Sequence, residues 1–176
     1  YWALFAGAHG HTYGCWPIWC MWRPGLPPIL ARRPWYEALH LPGSSQVRHA
    51  RDLLLSRPFL ERIPDQSLIA SDVGSGTYHV RATRDAAGRY AMVYIPAVRR
   101  LFGAAHQGPA GVELDLTSLS GTELAVWWFD PRTGVAQAAG VVQKEARATF
   151  IPPAGGPDWV LVLDDAACGF PPPGRR

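Results

Sequence analysis

The apolar pattern of this chain changes period at Pro64-Asp65, and that change limits the fold more than any other feature. Up to residue 63 there is room for one apolar segment, one long loop and one helix, whereas beyond it short runs of period two follow one another. Tyr78-His79-Val80-Arg81-Ala82-Thr83 and Tyr90 to Ile95 alternate on either side of a turn at Asp85 to Gly88, which predicts a hairpin. Gly111 to Leu116, Thr122 to Phe129, Val135 to Val142, Ala146 to Ile151 and Trp159 to Leu163 predict further strands. Turn chemistry at Asp130-Pro131-Arg132-Thr133-Gly134 and Pro152 to Pro157 separates them. Roughly seven or eight short strands in about 100 residues predict an antiparallel β-sandwich. The 18 Gly and 17 Pro of the chain suit such a fold and argue against a helical bundle. Val98 to Ala110 fits no strand and is expected as an inserted loop, and Gly169 to Arg176 as a Pro-rich tail without order.

Ahead of Pro64, residues 1 to 9 are apolar and small. They fit a buried strand or a helix running into one, and periodicity does not separate the two. Gly10 to Gly43 carries six prolines and many aromatics, a loop long enough to be expected to serve function, with one helical turn at Trp35 to Leu39. A helix is predicted from a cap at Ser44 or Ser45, with Val47, Ala50 and Leu54 at helical spacing and Arg48 and Asp52 one turn apart. Pro58 forces it to stop near Ser56, and Phe59, Leu60 and Ile63 are expected to dock the exit segment. The chain opens at Tyr1-Trp2-Ala3-Leu4-Phe5 in mid-pattern, without an initiator methionine or a polar lead-in, and is expected to be truncated there.

Several function classes are disfavoured. The formal charge is +3, but the basic residues are spread along the chain with only pairs such as Arg32-Arg33 and Arg99-Arg100, so nucleic-acid binding is not predicted. No apolar run reaches the roughly 18 residues of a membrane span, and Gly7, Gly10, Gly14 and Pro17 break the most apolar stretch, so no membrane association is predicted. Cys15, Cys20 and Cys168 make no dense disulfide framework. A Cys15 to Cys20 bridge or a metal site with His9 and His11 matches no zinc spacing, so free cysteines and no metal are expected. Asp164-Asp165 is expected to be solvated. No phosphate loop, paired CxxC or nucleophile elbow is present, and no cofactor is predicted.

Tyr1-Trp2-Ala3-Leu4 with Gly7-Ala8-His9-Gly10-His11-Thr12-Tyr13-Gly14 resembles the last barrel strand of the apiosidase-like glycoside hydrolases. Pro64 to Ile69, Arg81 to Asp85, Tyr90 to Pro96, Trp127 to Gly134 and Asp158 to Leu163 resemble the β-domain that follows this barrel, called the putative collagen-binding domain of a collagenase. The inserted loop and the Cys and Trp content of residues 15 to 22 depart from the pattern. The resemblance implies a mostly β chain in three parts. Residues 1–63 would be the last βα unit of a (β/α)8 barrel with a long active-site loop, 64–168 a β-sandwich, and 169–176 a disordered tail. A barrel needs eight strands and about 250 residues. The N-terminal barrel portion of the same chain is therefore an expected partner, and without it residues 1–60 are expected to be poorly stable.

The implied function is that of the C-terminal portion of a glycosidase, secreted or periplasmic, acting on a plant or microbial polysaccharide or oligosaccharide. The alternative is a β-sandwich module that binds carbohydrate or an extracellular protein. Two carboxyl groups normally carry glycoside hydrolysis. The resemblance puts the catalytic acids on earlier strands, so no catalytic residue is assigned, and Glu37, the first acid, reads as a solvated carboxylate. His11 and Tyr13 fall where a barrel strand enters its loop and are expected to bind substrate hydroxyls. His9 alternates with His11 and is expected to point elsewhere. Trp16 and Trp19, with Trp22 three residues on, are expected to stack on sugar rings, core filling being the competing role. Adjacent Trp127 and Trp128 should face opposite sides of one strand, and Trp159 the core.

Overall fold

The computed structural model describes residues 1–27, 31–96, 111–154 and 158–175. The expected inserted loop, Val98 to Ala110, lies outside them. Among the described residues four α-helices come first: α1 (Trp2–Phe5), α2 (Trp16–Trp19), α3 (Trp35–Ala38) and α4 (Pro42–Leu55). Eight strands follow among the described residues: β1 (Arg62–Pro64), β2 (Arg81–Asp85), β3 (Tyr90–Ile95), β4 (Val112–Asp115), β5 (Glu123–Phe129), β6 (Ala136–Gln143), β7 (Arg147–Phe150) and β8 (Trp159–Asp165). Six make one antiparallel sheet in the order β1-β2-β3-β8-β5-β6, and β4 pairs with β7 in a second, smaller sheet.

The central strands explain the layering. Alternate residues of β3 and β8 go to opposite faces, yet both sets are apolar. Ala91, Val93, Leu161 and Leu163 enter a core closed by the small sheet, through Val112, Leu114 and Phe150. Tyr90, Met92, Val160 and Val162 enter a second core on the other face, closed by Leu4 and Phe5 of α1 and by Ala50, Leu53 and Leu54 of α4. The large sheet is therefore a sandwich layer on one side and a helix platform on the other. Trp127 and Trp128 divide as expected, Trp128 facing the small sheet and Trp127 the helices, and Trp159 is buried in the first core.

Polar clamps join the helical part to the sheet. Arg57, just past α4, sets its guanidinium fork on Asp164 of β8, with Nε and Nη2 donating at 2.8 and 2.6 Å, and both side chains are buried. Arg62 donates to the carbonyl oxygens of Leu4 and Ala8, and Trp2 Nε1 donates to His79 O at 2.7 Å.

Several local expectations are corrected. Residues 2–5 are a helical turn rather than a barrel strand. No described strand pairs with this segment, so its N–H groups bond internally, from Phe5 to Tyr1 O at 2.8 Å and from Ala6 to Trp2 O at 3.0 Å. Helix α4 begins two residues before Ser44, at Pro42, whose missing N–H costs nothing in the first turn. Leu60 is 88% exposed and docks nothing, whereas Phe59 packs against the second core. Tyr78 closes a 3-10 turn, so its strand starts only at Arg81. Asp164 and Asp165 are buried rather than solvated, because Arg57 holds the first and Ser120 Oγ and Ala167 N donate to the second. The tail packs on the domain through residue 175: the Arg57 guanidinium lies 4.9 Å above the Phe170 ring, and Gly174 N donates to Ser56 Oγ at 3.1 Å.

Candidate functional site

A cleft of about 810 Å³ opens where the loop after α1 crosses α4 and meets two connections of the β-domain. Its floor is apolar, built from Leu4, Val47, Ala50, Leu54 and Phe59, with Pro131 at one side. Its polar groups converge from four places. His9, His11 and Tyr13 come from the loop, Gln46, Arg48 and Arg51 from α4, Arg132 from the β5–β6 turn, and Asp158 from the residue before β8. An apolar floor with a few convergent polar groups is the usual form of a small-molecule site.

Tyr13 and His9 each pack on a neighbouring group. The Tyr13 ring packs against the first turn of α4, where a Cβ at Gly43 would lie 2.6 Å from its Cε2 and the ring would have to shift. Partial burial and a hydrogen bond with Cys15 raise the Tyr13 hydroxyl above the ordinary phenol range. His9 lines the same cleft as His11, with its ring 6.3 Å from that of Phe59. The expected divergence of the two histidines fails because alternation belongs to strands and this segment is not one.

The β-domain side is electrostatically organised. Asp130 accepts from Arg132 Nε and Nη2 at 2.9 and 2.7 Å. Burial pushes the Asp130 carboxyl up, but these bonds outweigh it and the net shift is downward. Asp158 moves the other way. Burial raises it more than the Tyr94 hydroxyl, donating at 3.0 Å, and the nearby Arg132 charge lower it.

The expected substrate residues thus fall in two places. His11 and Tyr13 meet in the cleft. Trp16 and Trp19, with rings 4.7 Å apart, sit on α2 and do not line it, being 41% and 73% exposed. Helix α2 packs on α3, where Glu37 is exposed and away from the cleft. Arg132 and Asp158 carry no site signal in the sequence, since the first reads as part of a turn and the second as the lead-in to an apolar strand. Cys15, Cys20 and Cys168 are free thiols.

Two family models match successive parts of the chain. Residues 63–164 match the family described as putative collagen-binding domain of a collagenase, and residues 1–61 match the family described as apiosidase-like, catalytic domain. A solved glycoside hydrolase is similar to the chain with a TM-score of 0.82 and 33% identity, over 95% of this chain and 35% of its own. A glycoside hydrolase family 5 protein from Bacteroides vulgatus is similar with a TM-score of 0.82 and 31% identity, over the same shares. The chain therefore spans about a third of the length of these structures. No curated protein matches it.

Proposed function

We propose, because the chain belongs to the family of the putative collagen-binding domain of a collagenase and joins it to an apiosidase-like catalytic segment, that it works as the C-terminal portion of a glycoside hydrolase. In this reading the cleft of His11 and Tyr13 binds part of a plant or microbial polysaccharide. The N-terminal barrel portion walls its open side and supplies the catalytic carboxyl pair, and the β-domain buttresses the assembly. Trp16 and Trp19 bind sugar rings next to the cleft rather than within it. The chain by itself is inactive, and the whole protein is exported to the periplasm or beyond.

The observation that carries this reading is the core shared across the boundary between the two family segments. Helices α1 and α4 of the first cover the sheet of the second with buried side chains, and the buried Arg57 to Asp164 pair ties them. A binding module on a linker has no need of such a joint.

The test is oligosaccharide binding by the chain as it stands. Titration with neutral plant and bacterial oligosaccharides, followed by tryptophan fluorescence and ligand-observed NMR, is expected to show binding that weakens at least fivefold in both His11→Ala and Trp19→Ala. A panel in which no oligosaccharide binds would overturn the reading.

A further inference from the structure

We infer that the β-domain contributes ligand-contacting groups as well as support: Asp158 and Arg132 receive adjacent hydroxyls of a neutral sugar at the rim of the cleft that holds His11 and Tyr13. This rests on the carbohydrate reading above and adds the β-domain residues and the charge class of the ligand.

The geometry supports it in three steps. First, each group has unused hydrogen-bonding capacity. The Asp158 carboxylate takes the Tyr94 hydroxyl on Oδ2, and no hydrogen bond reaches Oδ1 among the described residues. Arg132 uses Nε and Nη2 on Asp130 and leaves Nη1 without a partner among the described residues. Second, the two line one cleft and sense each other's charge, yet they do not close into an ion pair. An acceptor and a donor held apart in this way match a hydroxyl, which accepts and donates at once, and two vicinal hydroxyls match both. The ordinary alternative, Arg132 swinging onto Asp158, is prevented because Asp130 already holds the guanidinium fork.

Third, the surroundings select the ligand. The charges of Asp158 and Arg132 oppose one another at the rim. An anionic ligand would meet the partly buried Asp158 carboxylate and would find each lining guanidinium already paired, Arg132 with Asp130 and both Arg48 and Arg51 with Asp52, while a cation would meet those three arginines. The floor of Leu54, Ala50 and Phe59 suits the apolar face of a sugar ring. A neutral sugar residue fits the whole arrangement.

The chain itself serves for the experiment, with xylotetraose and galactotetraose as neutral probes and tetragalacturonate as the charged comparator, read by calorimetry and NMR. Asp158→Asn keeps the side-chain shape and the acceptor for Tyr94, and Arg132→Gln keeps a donor but loses the fork. Both are expected to weaken the tighter neutral probe at least tenfold. Tetragalacturonate is expected to bind at least tenfold more weakly than that probe. The thermal midpoint of Asp158→Asn should equal or exceed that of the unaltered chain, which separates lost contact from lost fold. If both variants bind as the unaltered chain does while His11→Ala still binds more weakly, this inference falls and the proposed function stands. Preference for tetragalacturonate also overturns it. If no probe binds the unaltered chain, both fall together.

Discussion

Arg57 and Asp164 are 107 positions apart and meet with both side chains buried. Removing two charges from water costs several kcal/mol per ion, and a fork-on-carboxylate geometry with further acceptors is what offsets it. Arg57 has those acceptors, since Nη1 also donates to Ser56 O at 2.8 Å and its face covers Phe170. The carboxyl of Asp164 is nevertheless pushed up, burial outweighing the Arg57 bonds. Arg57→Ala would strand that carboxylate in the interior and is expected to destabilise the chain by about 3–5 kcal/mol in urea unfolding. Arg57→Met combined with Asp164→Leu removes both charges and is expected to cost far less than the single change. Equal losses would mean that the pair contributes packing and not charge balance. The sequence hides this pair, because adjacent carboxylates at a strand end look solvated until a distant guanidinium arrives. The same holds for Asp158 and Arg132, which line one cleft only when the β5–β6 turn and the lead-in to β8 are brought beside α4.

Among the elements, α4 and β6 show how unevenly packing distributes stability. Leu53 is fully buried in the core that α4 shares with the sheet, whereas Val141 on the edge strand β6 is 59% exposed. Leu53→Ala is expected to cost about 2–5 kcal/mol through lost burial and the cavity left behind, and Val141→Ala to stay within about 0.5 kcal/mol. Parallel urea titrations compare the two directly, and a large effect at Val141 would mean that β6 is covered in solution. The end of α4 was readable, because Pro58 forbids continuation and Arg48 pairs with Asp52 at 3.3 Å as their spacing requires. Its start was not. The Ser44 hydroxyl donates to Leu39 O and Leu41 O instead of capping N–H groups, and Pro42 takes the first position. The strands were readable within a few residues wherever alternation met turn chemistry. Residues 1–9 were ambiguous because a strand is defined by its neighbours, and period-two logic therefore failed for His9, which lines the cleft beside His11 and Tyr13.

Taken whole, the molecule has two family segments and one structural joint, and the joint predicts what cutting between them will do. A chain of residues 64–168 alone would keep the core between the sheets, from Leu68 to Leu163. It would lose the cover over Tyr90, Met92, Phe129, Val160 and Val162. Each such side chain is worth roughly 1.5–3 kcal/mol when fully buried, and a domain has only about 5–15 kcal/mol in total. It would also lose Arg57 and leave Asp164 without its cation. The excised β-domain is therefore expected to bind a hydrophobic dye, to self-associate, and to unfold without a sharp thermal transition, while residues 1–176 unfold cooperatively. Asp164→Leu in the excised fragment removes the stranded charge but not the uncovered apolar face. It should recover part of the stability and none of the solubility. A fragment of residues 64–168 that is monomeric and as stable as the longer chain would mean that the helices rest on an already complete domain. The binding-module alternative would then replace the buttress, and the sheet face now under α4 would become the surface to test for its ligand.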